Sequence, residues 1–142
     1  MSCISLAEAN RIIAGAFARG QEAGMKPLSV AVVDAGGHLI AFQRGEGASF
    51  GRAQIATGKA AGALALGVSS RKLGEMAQER PWFIGAFAGA APHPVIPAAG
   101  GVIVLGADGA AIGAVGVTGD TSDNDEIAAL AGIAAAGLAA QG

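Results

Sequence analysis

The chain has 142 residues, a mass of 13.7 kDa and a formal charge of -2, the size of one domain that can bury a core without disulfides. Six aromatic side chains, no tyrosine and a slightly acidic balance exclude the stacking platforms and basic surface that a nucleic-acid partner requires. With 24 Gly and 35 Ala filling 59 of 142 positions, the composition favours close backbone packing, and an apolar fraction of 52% sets it apart from disorder.

Charge is divided along the chain. Residues 1–80 hold all nine Lys and Arg against six acids, and residues 81–142 hold five acids and no Lys or Arg. The uncharged run Pro81 to Ala107 is 27 residues long, long enough to span a bilayer. Pro92, Pro94, Pro97, the intervening His93 and the Gly100-Gly101 pair argue against a lipid-facing helix and for a loop leading into a buried strand. Met1 to Leu6 has neither a basic start nor an apolar run, so a cytoplasmic protein is expected. A single cysteine, Cys3, makes neither an internal disulfide nor a thiolate metal site.

In chain order, Ser5 and Glu8 have capping-box spacing and Leu6, Ile13 and Phe17 recur at helical period until Gly24, predicting a helix over about 5–23. Leu28 to Val33, the turn Asp34-Ala35-Gly36-Gly37 and His38 to Arg44 predict a hairpin. Strict alternation would put His38, Ile40, Phe42 and Arg44 on one face. After a loop over 45–51, Arg52 to Leu66 reads as a helix, and Ser69 or Ser70 caps a shorter one that Pro81 ends. A helical turn over 82–88 and a proline-ruled loop follow. Val102 to Leu105, a turn with Asp108-Gly109, and Ala111 to Val117 form a second hairpin. A polar connection over 120–125 leads to a last helix over 126–140. Without regular strand-helix-strand alternation, these elements predict one α+β domain over 1–142, an antiparallel sheet of two hairpins, four to five strands in all, flanked by helices.

Two nucleotide motifs fail on inspection. Gly58-Lys59 would need Gly at 53 and Ser or Thr at 60 to make a phosphate loop, where the chain has Ala53 and Ala60. Gly113, Gly116 and Gly119 recur every third residue along a strand and its exit, not at a strand-to-helix turn.

The run Gly119 to Glu126 gathers four carboxylates. Ser122 with Asp125, or Asp123 with Glu126, has capping-box spacing. A calcium loop is matched only at Asp123 and Asp125, and a ligand-binding turn is the third reading. Asp120 precedes the cap and is the residue the capping account leaves free. His38 is either a strand-end polar residue or a ligand and proton carrier. His93, between two prolines, is a loop residue or a pocket wall. Arg52 and Lys59, seven apart on one helix, share a face that is either solvated or ready for an anion. Two histidines exclude a three-histidine metal site, and no metal is expected.

The segments VAVVDAGGHLIAFQRGEGA (30–48), IATGKA (55–60), Gly100-Gly101-Val102, IGAVGVTG (112–119) and Asp125-Glu126, in that order, resemble the GlcG/HbpS family, which includes the C-terminal domain of the cobalamin adenosyltransferase PduO. The resemblance covers roughly residues 6–140. It implies an α+β domain that assembles into homo-oligomers, from dimer to octamer, and binds haem. Asp34, Gly36, Gly37, Arg44, Gly47, Lys59, Gly101, Gly113, Gly116, Gly119 and Glu126 fall on recurrent family positions. In the PduO-type domain a histidine and a cysteine of the first helix region accompany the haem iron. Here Ala9, Ala14, Ala16 and Ala18 stand in that region, with no His or Cys between 4 and 37.

Two functional readings result. In the first, a homo-oligomer binds haem or another small ligand, with His38 or His93 as nitrogen ligand and Arg44 or Lys59 reaching a propionate. In the second, an isomerase, tautomerase or lyase acts on a small carboxylated metabolite. Arg44, Arg52 or Lys59 would hold the anion, His38, Glu46 or Asp120 would move a proton, and Gly119, Asp123, Asp125 and Glu126 would line the substrate turn. An accessory, purely structural subunit is the third class.

Overall fold

A computed structural model describes residues 3–142. Its elements are α1 (Leu6–Ala23), β1 (Ser29–Asp34), β2 (Leu39–Arg44), α2 (Arg52–Leu66), α3 (Ser70–Glu79), α4 (Pro81–Ala90), β3 (Gly101–Leu105), β4 (Ala111–Thr118), α5 (Ser122–Ala135) and β5 (Ala139–Ala140). The strands form one antiparallel sheet in the order β2-β1-β4-β3-β5. The two hairpins therefore meet through β1 and β4, whose register sets Ser29 opposite Thr118 and Asp34 opposite Gly113.

The α1 start follows its capping box: the Ser5 hydroxyl accepts from Glu8 N at 3.0 Å and the Glu8 carboxylate accepts from Ser5 N at 2.9 Å. One sheet face carries Val30, Val32, Val102, Val104, Val115 and Val117, which pack with Ile12 and Ile13 of α1 and Ile133 of α5. The other face lies under α2, where Val33 and Ala114 meet Ala60. The Ala and Gly content is consumed at these contacts. A Cβ on Gly116 would run into the Ala56 carbonyl of α2, and one on Gly132 into the Ile12 carbonyl of α1. Helices seat on strand and helix because these positions carry no side chain.

Four expectations change. Helix α3 ends before Pro81, but Pro81 opens α4 at its first position, where a missing N–H costs nothing; the anticipated turn is a full ten-residue helix. The polar run 122–126 is not a connection but the first turn of α5, because the Thr121 hydroxyl accepts from Asn124 N and caps it. Thr121, rather than Ser122 or Asp123, is the cap. The last helix stops at Ala135, Gly137 follows with φ +73°, and Ala139–Ala140 adds to the sheet edge. In the β1–β2 hairpin, Val32 opposes Ala41 and Val33 opposes Leu39, leaving Ile40 as an extra residue. This bulge breaks the expected face, and Ile40 joins Ala41 against the α1–α5 core. Among the described residues, no helix is long and apolar enough to cross a membrane.

Candidate functional site

The sequence-singled residues divide between the two ends of β1. At its far end Asp34 organises a tight turn. Its Oδ1 accepts from Gly36 N at 2.9 Å and from His38 N at 3.0 Å, and its carbonyl accepts from Gly37 N at 2.9 Å, the side-chain turn that favours Asp here. Gly37 takes φ +84°, which suits a residue with no Cβ. The backbone N–H of His38 is the main cause that holds the Asp34 carboxyl below its ordinary range. His38 leaves this turn with Nδ1 3.4 Å from Asp34 Oδ1 and its side chain 75% exposed.

His93 reaches the same place from the segment between α4 and β3. The two glycines of α2 make this contact possible. A Cβ on Gly58 would lie 2.7 Å from Ile96 Cγ1 and 3.2 Å from the Pro94 carbonyl, and one on Gly62 would lie 3.4 Å from Val95 Cα. Residues 94–96 thus lie flat on α2 and hold the preceding histidine against the β1–β2 turn. His93 Nε2 is 3.4 Å from the Gly36 carbonyl oxygen. The rings of His38 and His93, 55 positions apart in sequence, stand 6.0 Å apart centre to centre and nearly perpendicular at 85°.

At the other end of β1 the polar residues are engaged with one another. Lys59, 3% exposed, donates to Asp125 Oδ2 and to the Val117 carbonyl, both at 3.0 Å, and Asp125 is 1% exposed. Burial pushes the Lys59 ammonium down and the Asp125 carboxyl up from their ordinary values, each opposed by the partner's charge. Asp125 Oδ1 also accepts from Asp120 N at 2.9 Å. Asp120 accepts from Lys26 N, Thr121 N and the Asn124 side-chain amide at 2.7–2.9 Å. Those donors, Lys26 N foremost, lower its pKa to about 2. Arg52 donates to the Thr118 hydroxyl at 2.8 Å. Arg71 of α3 holds Asp123 and Glu126 of α5.

This arrangement engages several of the candidate residues with one another. Asp120 is a tie between chain segments, and a carboxyl held near 2 is a weak base at neutral pH. Asp123 and Asp125 hold Arg71 and Lys59, and among the described residues no three His, Cys, Asp or Glu are placed to hold a metal ion together. Lys59 is enclosed in its pair with Asp125. Arg44 is exposed and opposite Ser29, five residue steps along β1 from the Asp34 end, about 17 Å at 3.3–3.4 Å per residue. It therefore does not stand beside His38 as a propionate partner. Glu46 lies in a cleft of about 450 Å³ with Phe17, Met25 and Leu28. Arg52 and Gly119 line a smaller one of about 260 Å³ with Lys26 and Ser49. His38 thus stands at the opposite end of β1 from Arg44, Glu46 and Asp120.

Sequence reasoning named Asp34 as a turn and family position and Ser70 as a cap, without the roles they take in the fold, and did not mark Ser29. Asp34 is the carboxylate partner of His38, and its signal is the four-residue spacing inside one turn. Ser70 holds the β3 start, its hydroxyl accepting from Gly101 N at 2.6 Å. Ser29, fully buried, is the one such side chain among the described residues with an unpaired polar atom, which no local pattern marks.

The sheet with α1 and α5 on one face and α2 on the other, carrying a paired-histidine corner at a hairpin turn, defines an open α+β domain. The model of the haem-degrading HbpS-like proteins matches residues 4–134, and the chain belongs to that family. Among solved structures it is similar to HbpS, with 28% identity, TM-score 0.81, 94% of this chain and 90% of that one covered. It is also similar in fold to the PduOC:haem complex, with 23% identity, TM-score 0.86 and coverage of 99% and 100%. A third is the Klebsiella pneumoniae protein ORFY, with 24% identity, TM-score 0.85 and coverage of 96% and 92%. A search of curated proteins returns no match.

Proposed function

We propose that the protein binds haem or a closely related metal-bearing tetrapyrrole, with His38 and His93 as the residues that face the metal. The observation that carries this reading is the convergence of the chain's two histidines, each with one ring nitrogen beside an oxygen. His38 Nδ1 is near Asp34 Oδ1 and His93 Nε2 is near the Gly36 carbonyl, which favours N–H at those atoms and leaves a lone pair on His38 Nε2 and His93 Nδ1. Family membership supplies the ligand class. Haem, when bound, would bring a redox-active iron. The chain's part is to present two imidazoles, one of them beside the Asp34 carboxylate.

With His38 three-quarters exposed, the ligand meets the pair at the molecular surface, and a second copy of the chain would complete the enclosure. Helix α4 supports such an assembly. It carries no charge, buries only Ile84, and leaves Trp82 71% exposed, a face unlike that of an isolated surface helix. The same reading keeps the cytoplasm as its setting, where the exposed Cys3 thiol stays reduced. The proton-transfer enzyme would rest on Arg44, Arg52, Glu46 and Asp120 near the Ser29 end of β1, without His38, and the family match does not point to it.

The test is a hemin titration followed in the Soret region, with albumin as control. A saturating shift at one haem per chain, lost in the His38→Ala, His93→Ala double variant, is expected. A weak, non-saturating shift that is equal in the double variant would overturn the assignment.

A further inference from the structure

Independently of any tetrapyrrole, we infer that His38 and His93 form a two-point chelating site for a late divalent transition ion, Cu(II) or Ni(II), on each single chain. An ion that holds two imidazole nitrogens at about 2.0–2.1 Å puts the ring centres roughly 4.5–6.4 Å apart, depending on the N–metal–N angle. The observed 6.0 Å, between rings in a nearly perpendicular edge contact, falls inside that range at an N–metal–N angle of about 140°, and the exposed His38 ring is the one free to turn towards a shared ion. The outer partners are in place as well: a carboxylate lies beside one ring and a backbone carbonyl beside the other, the usual supports that orient ligating histidines and raise their basicity.

The site differs from a structural metal centre in a defined way. No third His, Cys, Asp or Glu completes a ligand group among the described residues, and Asp34 Oδ1 is already accepting from two backbone N–H groups. Water therefore fills the remaining positions, the ion exchanges readily, and affinity follows the rising order of imidazole sites through Ni(II) to Cu(II). His93 is the less mobile of the two donors, held by the loop that lies on Gly58 and Gly62, while the exposed His38 adjusts to it. Unlike a macrocycle, a bare ion needs no second copy to enclose it.

The experiment is a calorimetric titration of the haem-free, tag-free full chain with nickel chloride, repeated in a Cys3→Ser background to remove the exposed thiol. One ion per chain is expected, with affinity reduced tenfold or more by His38→Ala and by His93→Ala, less by Asp34→Asn, and unchanged by Glu46→Gln. Cu(II) on the same protein should show coupling to two ring nitrogens in its electron paramagnetic resonance spectrum, and to one in either single variant. Nickel binding that both histidine variants retain at full strength, or no binding at millimolar nickel, would overturn the inference. Hemin titrations of the same variants separate the two readings. Loss of the Soret shift with nickel binding intact would remove the ion site alone, and the reverse would remove the haem assignment alone.

Discussion

The two ends of β1 use polar residues in opposite ways. At the Ser29 end, Lys59, Asp125, Asp120, Arg52 and Thr118 are paired across α2, β4, α5 and the segment before β1, and among the buried side chains of the described residues the Ser29 hydroxyl alone lacks a partner. At the Asp34 end, two histidines meet at the surface with one nitrogen each uncommitted. Motif density is higher at the first, but a group that already has its partners has little chemistry to offer a ligand. The functional candidate is the sparser end, where the two histidine rings meet at the surface.

Removing one member of the buried pair should have the largest effect. Lys59→Met leaves a buried carboxylate without its cation and should cost about 3–5 kcal/mol in chemical denaturation. The double variant Lys59→Met, Asp125→Leu should be more stable than Lys59→Met alone. A double variant that is no better would mean that Asp125 does more there than balance charge. Next comes Gly116→Ala, whose Cβ meets the backbone of Ala56 and Ala60 and should cost about 1–3 kcal/mol or more. Gly36→Ala meets only the exposed His38 ring and the Asp34 carboxylate, at 3.0 and 3.4 Å. It should cost less than Gly116→Ala in the same assay, yet weaken ligand binding by displacing that ring.

Asp120 gives the comparison a pH dependence. Its folded pKa of about 2 lies below the usual unfolded value of about 3.9, so the stability it contributes is present above about pH 4. That contribution is lost as the pH falls towards 2. Asp120→Asn should remove this part of the acid transition, read by acid unfolding of the two proteins side by side. An unchanged acid limb would show that the three-donor tie at the Asp120 carboxylate is not formed. The smallest effect belongs to the open end. His38→Ala should change stability by no more than about 0.5 kcal/mol, as for an exposed side chain, while altering the Soret and nickel titrations. A large loss of stability would place His38 in the fold rather than the site.

Local signals carried much of the architecture. The Ser5–Glu8 capping box, the Asp34–Gly37 turn and the Asp108–Gly109 turn can be read within a few residues, and each appears where its spacing indicates. The errors came where a local rule competed with a neighbouring element. Pro81 marks a boundary without saying on which side a helix lies, and the acids of 122–126 suit a helix's first turn as well as a loop. The bulge at Ile40 shifts the β2 faces by one residue, which alternation alone does not reveal.

The same division holds for the site. Residue chemistry, read together with a family resemblance, was enough to name an antiparallel α+β domain, to nominate His38 and His93, and to exclude a nucleotide fingerprint. It was also enough to choose Lys59 and Asp120, because a lysine or a carboxylate has the same letter whether it is free or already paired. Only the tertiary structure decided between those states. The β1–β4 register sets Ser29 against Thr118 and so separates the two ends of the sheet. The bare backbone at Gly58 and Gly62 admits the loop that brings His93 to His38. Pairing across 55 or 66 residues of chain depends on which surfaces fit, and a shape made by missing side chains is a property of the packed chain, not of any stretch of its sequence.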